Sequence, residues 1–241
     1  IYLTMQDIKI VSIEGNIGSG KSTFLKHLET YFLDKGHTHV IFVDEPVDEW
    51  NDIHDKKGET ILKKFYEDSE KYSFPFQMMA FITRYTKIKK AMAKAIQIKE
   101  ININNPFGRG NPIVVTERCL YTDKYVFAQM LYDDKKIEEI NYIIYNKWFD
   151  EFARELPVHK IIYIDTKSEM CHNRIAKRSR NGESNIPLTY LENCEKYHNT
   201  MIQTRIVDGT ILYKIDGNRD MNDKVSYDNL LEMSYHFINK Q

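Results

Sequence analysis

The chain is poor in everything that breaks or staples a fold: its 241 residues include 10 glycines, 6 prolines and 3 cysteines. So few breakers exclude a linker-rich or low-complexity protein, because disordered segments concentrate Pro, Gly and polar residues. The cysteines, Cys119, Cys171 and Cys194, are odd in number and have neither CxxC nor zinc-ligand spacing. They exclude a disulfide framework and read as reduced thiols, small buried hydrophobes in a cytosol-like compartment. No apolar run approaches the roughly 20 residues of a membrane span, and no basic stretch followed by an apolar one opens the chain. The expected location is therefore the cytoplasm, with Met5 as the natural start after Ile1 to Thr4 and an organellar transit segment left open. Excess charge is missing as well: 34 Lys and Arg against 35 Asp and Glu give a formal net charge of −1. Such a chain has no overall positive field to hold a nucleic acid polymer, so any phosphate recognition must be local.

What is present is the composition of an ordered globular protein, 42% hydrophobic and 29% charged. Its length suits one α/β domain over 1–241, with a short N-terminal tail at 1–7. Five short apolar runs recur, Ile8 to Ile13, Val40 to Val43, Ile113 to Val115, Ile161 to Ile164 and Ile211 to Ile215, each ending in polar residues. Helical patterning separates them, around Tyr72 to Ile98, Tyr121 to Leu156 and Pro187 to Ile206. Continuous apolar strands alternating with helices imply a five-stranded parallel sheet buried on both faces, with function at the carboxyl ends of the strands. The segment from Glu100 to Pro112, rich in Asn, Gly and Pro, reads as a surface loop or insertion.

The first run ends in Gly15-Asn16-Ile17-Gly18-Ser19-Gly20-Lys21-Ser22-Thr23, which fits GxxxxGK[ST]. Phe24, Leu25, Leu28 and Phe32 then recur at helical spacing, so the motif sits between strand and helix as a phosphate loop must. The glycines let backbone N–H groups turn inward around phosphate oxygens, the helix terminus adds partial positive charge, and Lys21 reaches the β and γ phosphates of ATP. Ser22 is the expected Mg²⁺ ligand. A glycine turn that merely caps a helix is the plain alternative. DxxG and NKxD do not stand at the corresponding strand ends, which argues against a switch GTPase.

The other strand ends carry the acid–base and charge-stabilising groups. Glu45, after the second run, is placed to accept a proton from an acceptor hydroxyl. Glu117 and Arg118, after the third, offer a carboxylate to Mg²⁺ and a guanidinium to the transferring phosphoryl oxygens. Gln77 and Arg84 are seven apart, hence on one helical face, and with Asp123 they form a hydrogen-bonding edge. Arg174, Lys177, Arg178 and Arg180 cluster before Asn181-Gly182, a basic group for which a solvated face is the plain alternative to a contact with phosphate.

Asp44-Glu45-Pro46-Val47 with Trp50, Tyr72-Ser73-Phe74-Pro75-Phe76-Gln77 followed by Arg84, and the run from Glu117 to Tyr125 resemble the deoxyribonucleoside kinases, in particular the deoxycytidine and deoxyguanosine kinase branch. The likeness extends from about Ile8 to the C-terminal helix. It implies a P-loop kinase fold with an arginine-rich lid at 174–186, in-line transfer of the γ-phosphoryl of ATP to the 5′-hydroxyl of a deoxynucleoside, and Mg²⁺. It implies further that Gln77 pairs with the base, that Arg84 and Asp123 together favour amino-bearing bases (dC, dA or dG over dT), and that Phe76 and Phe127 sandwich the base. Trp50 lines the same pocket, Tyr66 and Glu183 hold the sugar 3′-hydroxyl, Arg219, Asp220 and Met221 lie at the adenine, and a homodimer forms through helices. The family commonly has serine where this chain has Cys119. Two other readings stay open: a thymidylate-type nucleoside monophosphate kinase, against which Glu45-Pro46-Val47 and Trp50 argue, and a catalytically silent binding subunit, for which Lys21, Ser22, Glu45, Glu117 and the lid arginines would have no chemical use.

Overall fold

The computed structural model describes residues 8–103, 110–178, 186–219 and 224–240. Five strands, β1 (Lys9–Glu14), β2 (Val40–Val43), β3 (Ile113–Glu117), β4 (Lys160–Asp165) and β5 (Ile211–Asp216), form one sheet in the order β2-β3-β1-β4-β5. All four pairings are parallel, as the five apolar runs required.

Neighbouring residues of each strand go to opposite faces, as the two-residue period of an extended chain dictates. Ile10, Val114 and Ile161 join one core, with Phe81 and Met92 of α4 (Ser69–Ile103), Tyr145 and Phe149 of α7 (Glu139–Phe152), and Met201 of α9 (Leu188–Val207). Val11, Val115 and Ile162 join the other, with Phe24, Leu28 and Phe32 of α1 (Lys21–Asp34) and Leu231 and Ile238 of α10 (Lys224–Asn239). Helices on both faces explain why the strands read as unbroken apolar runs. The buried Lys160 ammonium donates to the carbonyls of Phe237, Ile238 and Lys240, anchoring the end of α10 to the sheet.

Two smaller clusters sit above the strand ends. One joins Trp50 of α2 (Val47–Asn51), Leu62 and Phe65 of α3 (Ile61–Glu67), and Phe76 and Ala80 of α4 with Leu131 of α6 (Gln129–Asp133). The other, Cys171 and Ile175 of α8 (Ser168–Arg178) with Ile186 and Leu191, lies against the glycine loop. All three cysteines are free and buried.

One expectation needs revision. Glu100 to Ile103 are the last turn of α4 and not part of a loop. No Pro or Gly stands between Glu100 and Ile103, so the helix continues through them, and Asn102 Nδ2 donates to Gly110 O at 3.1 Å. The segment from Tyr121 to Leu156 is helical as its patterning implied, but in several pieces: α5 (Leu120–Thr122) passes into a π-helical turn, Asp123–Ala128, before α6 and α7. A π turn rotates the subsequent side chains relative to regular helix and is frequent at functional sites.

Candidate active site

The glycine loop joins β1 to α1. Gly18 has φ 78°, and a Cβ there would lie 2.6 Å from Cys171 O and 2.9 Å from the Ile175 side chain, so both conformation and the close approach of α8 require glycine. No side chain caps the start of α1, where Gly20 stands with φ 100°; the first helical N–H groups thus remain available to an anion. Lys21 is buried and donates to Asn16 O at 2.7 Å. Burial, and secondarily Arg118, lower its pKa to about 8 against the opposing pull of Glu117 and Glu45. Asn16 Nδ2 is committed to Leu191 O at 2.8 Å, which ties the loop to α9.

Next to the loop lies a closed network of charges. Ser22 Oγ donates to Glu117 Oε1 at 2.9 Å, so the two residues expected to hold Mg²⁺ already touch. Arg118 does not pair with its neighbour Glu117. Its Nη1 reaches Glu45 Oε1 at 2.6 Å, and the same oxygen accepts Arg84 Nη2 at 2.9 Å. Arg84 also donates from Nε to both oxygens of Asp123, at 2.9 and 3.1 Å, and from Nη1 to Glu117 O at 2.9 Å. At 3% exposure it is no surface salt bridge. Burial raises the Glu45 carboxyl, but Arg118 and Arg84 overcome this and hold it well below the usual carboxylate range. For Asp123 burial wins, pushing it up to about 6 despite Arg84.

Arg118 owes its aim to an uncommon backbone. Its φ is 62°, the left-handed region where a non-glycine residue costs about 1–3 kcal/mol. Thr116 Oγ1 donates to Arg118 O at 2.7 Å and Arg118 N to Ile13 O at 3.0 Å, fixing the turn from both sides.

A cavity of about 280 Å³ extends from Lys21 and Ser22 to the aromatic lobe. Phe76 stacks in parallel on Phe65, 4.6 Å between centroids, and meets Trp50 edge-on at 5.4 Å. Trp50 Nε1 is held by Thr83 Oγ1 at 3.0 Å. The Phe127 ring lies across the same cavity, 5.0 Å from Arg118 Cζ. Gln77 is 2% exposed, and its Oε1 has no donor among the described residues. A buried acceptor left unpaired costs stability, and at a cavity wall it is a place for a ligand N–H.

Tyr66, Arg174 and Arg178 also line this cavity. Arg174 donates to Ser19 O at 3.1 Å and Gly217 O at 2.9 Å, so it bridges the phosphate loop and the end of β5. Arg219 lines a second, smaller cavity with Gly20, Gly217, Tyr227 and Leu230. Arg180, Glu183, Asp220 and Met221 lie outside the described residues. Sequence reasoning missed Leu62, Phe65, Ala80 and Tyr190, all of which line the main cavity. Their apolar spacing is indistinguishable from core, and only the tertiary fold turns them toward the strand ends.

A phosphate loop facing buried carboxylates and guanidiniums at the carboxyl edge of a parallel sheet, with an aromatic acceptor cavity alongside, defines the class: a P-loop phosphotransferase. Residues 11–239 match the deoxynucleoside kinase family, to which the chain belongs. It is similar to deoxycytidine kinase 1 of Xenopus laevis, 31% identical over 96% of this chain and 91% of that one. It is likewise similar to deoxycytidine kinase of Bos taurus, 32% identical with the same coverage, and to the mitochondrial deoxyguanosine kinase of Xenopus laevis, 27% identical over 83% and 76%. The chain is accordingly an ATP-dependent deoxynucleoside kinase. Among the described residues no helix is long and apolar enough to cross a membrane.

Proposed function

We propose that the enzyme phosphorylates the 5′-hydroxyl of deoxycytidine, deoxyadenosine or deoxyguanosine in preference to thymidine. The observation that carries this reading is the buried Arg84–Asp123 pair at the wall that also bears Gln77. A base with an exocyclic amino group offers N–H donors to Asp123 and to Gln77 Oε1. Thymine sets a carbonyl oxygen against the carboxylate, and a site built for a donor rejects a substrate lacking it. Steady-state assay of the four deoxynucleosides with ATP should give the highest kcat/KM with dC, dA or dG and at least about tenfold less with dT. Thymidine as the best substrate, or phosphate transferred to dCMP and to no nucleoside, would overturn the assignment.

The chain's own groups divide the reaction among them. Glu45 Oε1 holds both guanidiniums, while Oε2 has no protein donor among the described residues and is the atom to accept the 5′-hydroxyl proton. When Arg118 turns from Glu45 to the transferring phosphoryl oxygens, it stabilises their charge and returns basicity to the carboxylate in the same movement. Lys21 and the loop N–H groups orient the phosphates, with Arg174 and Arg178 beside them on the cavity wall. The second cavity, beside Arg219, is the place for adenine. Ser22 and Glu117 fit Mg²⁺, a hard ion that takes one or two protein oxygens and completes its shell with water and substrate phosphate. Among the described residues no group of three or more His, Cys, Asp or Glu is arranged to hold a metal by itself. An ion held there by Ser22 and Glu117 would supply neutralisation of the phosphate charge.

The enzyme acts as a homodimer. On α7, Ile140, Ile143, Ile144 and Trp148 are 41–65% exposed, at spacings that form one stripe. A contiguous apolar face of this kind marks a protein contact, and a second copy presents the same face. Sedimentation should give a dimer that Ile144→Glu converts to monomer; a monomeric parent would remove the proposal.

A further inference from the structure

Beneath the Glu117-Arg118 turn is a buried acid with no task in the chemistry above. Glu14, the last residue of β1, is fully buried. Its Oε1 accepts from Ser12 Oγ at 2.5 Å and from Cys119 Sγ at 3.1 Å, while Oε2 has no donor among the described residues. A buried carboxyl so incompletely satisfied is costly, and an apolar residue would fill this strand position more cheaply. Its contacts lead to the active site. Three consecutive residues grip the turn: Ile13 O accepts Arg118 N at 3.0 Å, Glu14 accepts the Cys119 thiol, and Gly15 O accepts Arg118 Nη2 at 3.4 Å. The residue between these anchors is Arg118 itself, in the left-handed region and 2.6 Å from Glu45. The thiol also lies 3.5 Å from Thr122 Oγ1, one residue before Asp123.

We propose that Glu14 is a positioning residue for phosphoryl transfer: through the Cys119 thiol it locks the strained turn that aims Arg118 at Glu45 and the reacting phosphoryl group. The proposal rests on the roles given above to Arg118 and Glu45. Without the anchor the turn relaxes toward ordinary backbone, and the guanidinium moves from the line of transfer while both substrate pockets keep their shape. A displacement of this size near the reacting atoms affects kcat and leaves binding nearly intact.

The test compares Cys119→Ala, Cys119→Ser and Glu14→Leu, each alone and combined with Arg118→Lys, by kcat, both KM values and thermal unfolding. Cys119→Ala should lower kcat about tenfold with both KM values within about twofold. Serine, a stronger donor than a thiol, should bring kcat back to within about threefold of the parent. Glu14→Leu, which removes the acceptor of the thiol, should behave like Cys119→Ala; if it does not fold, the two Cys119 variants decide alone. In the Arg118→Lys background the Cys119→Ala effect should shrink below about twofold, since residues acting through one group are not additive. The same fold-loss in both backgrounds, or a Cys119→Ala enzyme that only melts earlier with unchanged kcat, would overturn the proposal. An Arg118→Lys enzyme with undiminished kcat would instead remove the role of Arg118, and the proposal with it.

Discussion

The two ends of the active-site cavity are built on opposite principles. At the phosphate end the charged groups answer one another: Lys21 with Asn16 O, Ser22 with Glu117, and Arg118 and Arg84 with Glu45. At the acceptor end the walls are aromatic rings, and the buried Gln77 Oε1 has no partner among the described residues. On the proposed assignment, the first end exchanges protein partners for substrate before it reacts, and the second is shaped in advance and gains a hydrogen bond when substrate arrives. Catalysis should therefore depend on the charges at one end and recognition on a few polar atoms at the other, with little crossover.

The largest break in this division is expected at Glu45. Glu45→Gln keeps the shape but removes the proposed proton acceptor, and general bases contribute about 10²–10⁴-fold. We expect kcat to fall about 1000-fold, with KM for ATP nearly unchanged. Near-normal turnover would remove Glu45 as the base. Because the substitution also leaves the buried Arg118 guanidinium without its anion and Arg84 with Asp123 alone, thermal unfolding must be measured alongside.

Gln77→Leu probes the opposite end with a smaller effect. Losing one buried hydrogen bond to substrate should lower kcat/KM for the nucleoside by about 10–100-fold while KM for ATP stays put. The free enzyme should gain stability, because the unpaired acceptor disappears. The signature is the opposed sign, weaker substrate use in a protein that melts later. A parallel rise in KM for ATP would show that the two ends are not separable.

The same contrast governed what the sequence could tell. The phosphate loop is contiguous from Gly15 to Thr23, and its glycines, lysine and hydroxyl each have a local reason, so it is legible without a fold. Strand ends were equally plain, since apolar runs stop where polar residues begin, and that placed Glu45, Glu117 and Arg118 on one edge. What could not be read was who pairs with whom. Glu45 meets residues 39 and 73 positions away, and Arg118 turns from its neighbour Glu117 because of a left-handed backbone that composition does not announce. The aromatic lobe was legible only through the family resemblance, because Phe65 and Leu62 have the spacing of ordinary core. Glu14 escaped for a related reason: a strand's last residue before a glycine loop draws no notice until its partner at 119 is known.

The smallest effect, and the finest test of the phosphate end, comes from pH. Burial and Arg118 bring Lys21 to about 8 from an ordinary 10.5, so the free enzyme loses this cation as pH passes 8. Because kcat/KM reports ionisations of the free enzyme, kcat/KM for ATP should fall by about tenfold per pH unit above that point. Bound phosphates add negative charge next to the ammonium and raise its pKa again, so kcat at saturating ATP should stay level over the same range. The limb belongs to one end only: kcat/KM for the nucleoside, measured at saturating ATP, should not share it. If it did, the charge at Lys21 would be acting across the whole cavity, and the separation between a charged end that reacts and an aromatic end that recognises would fail.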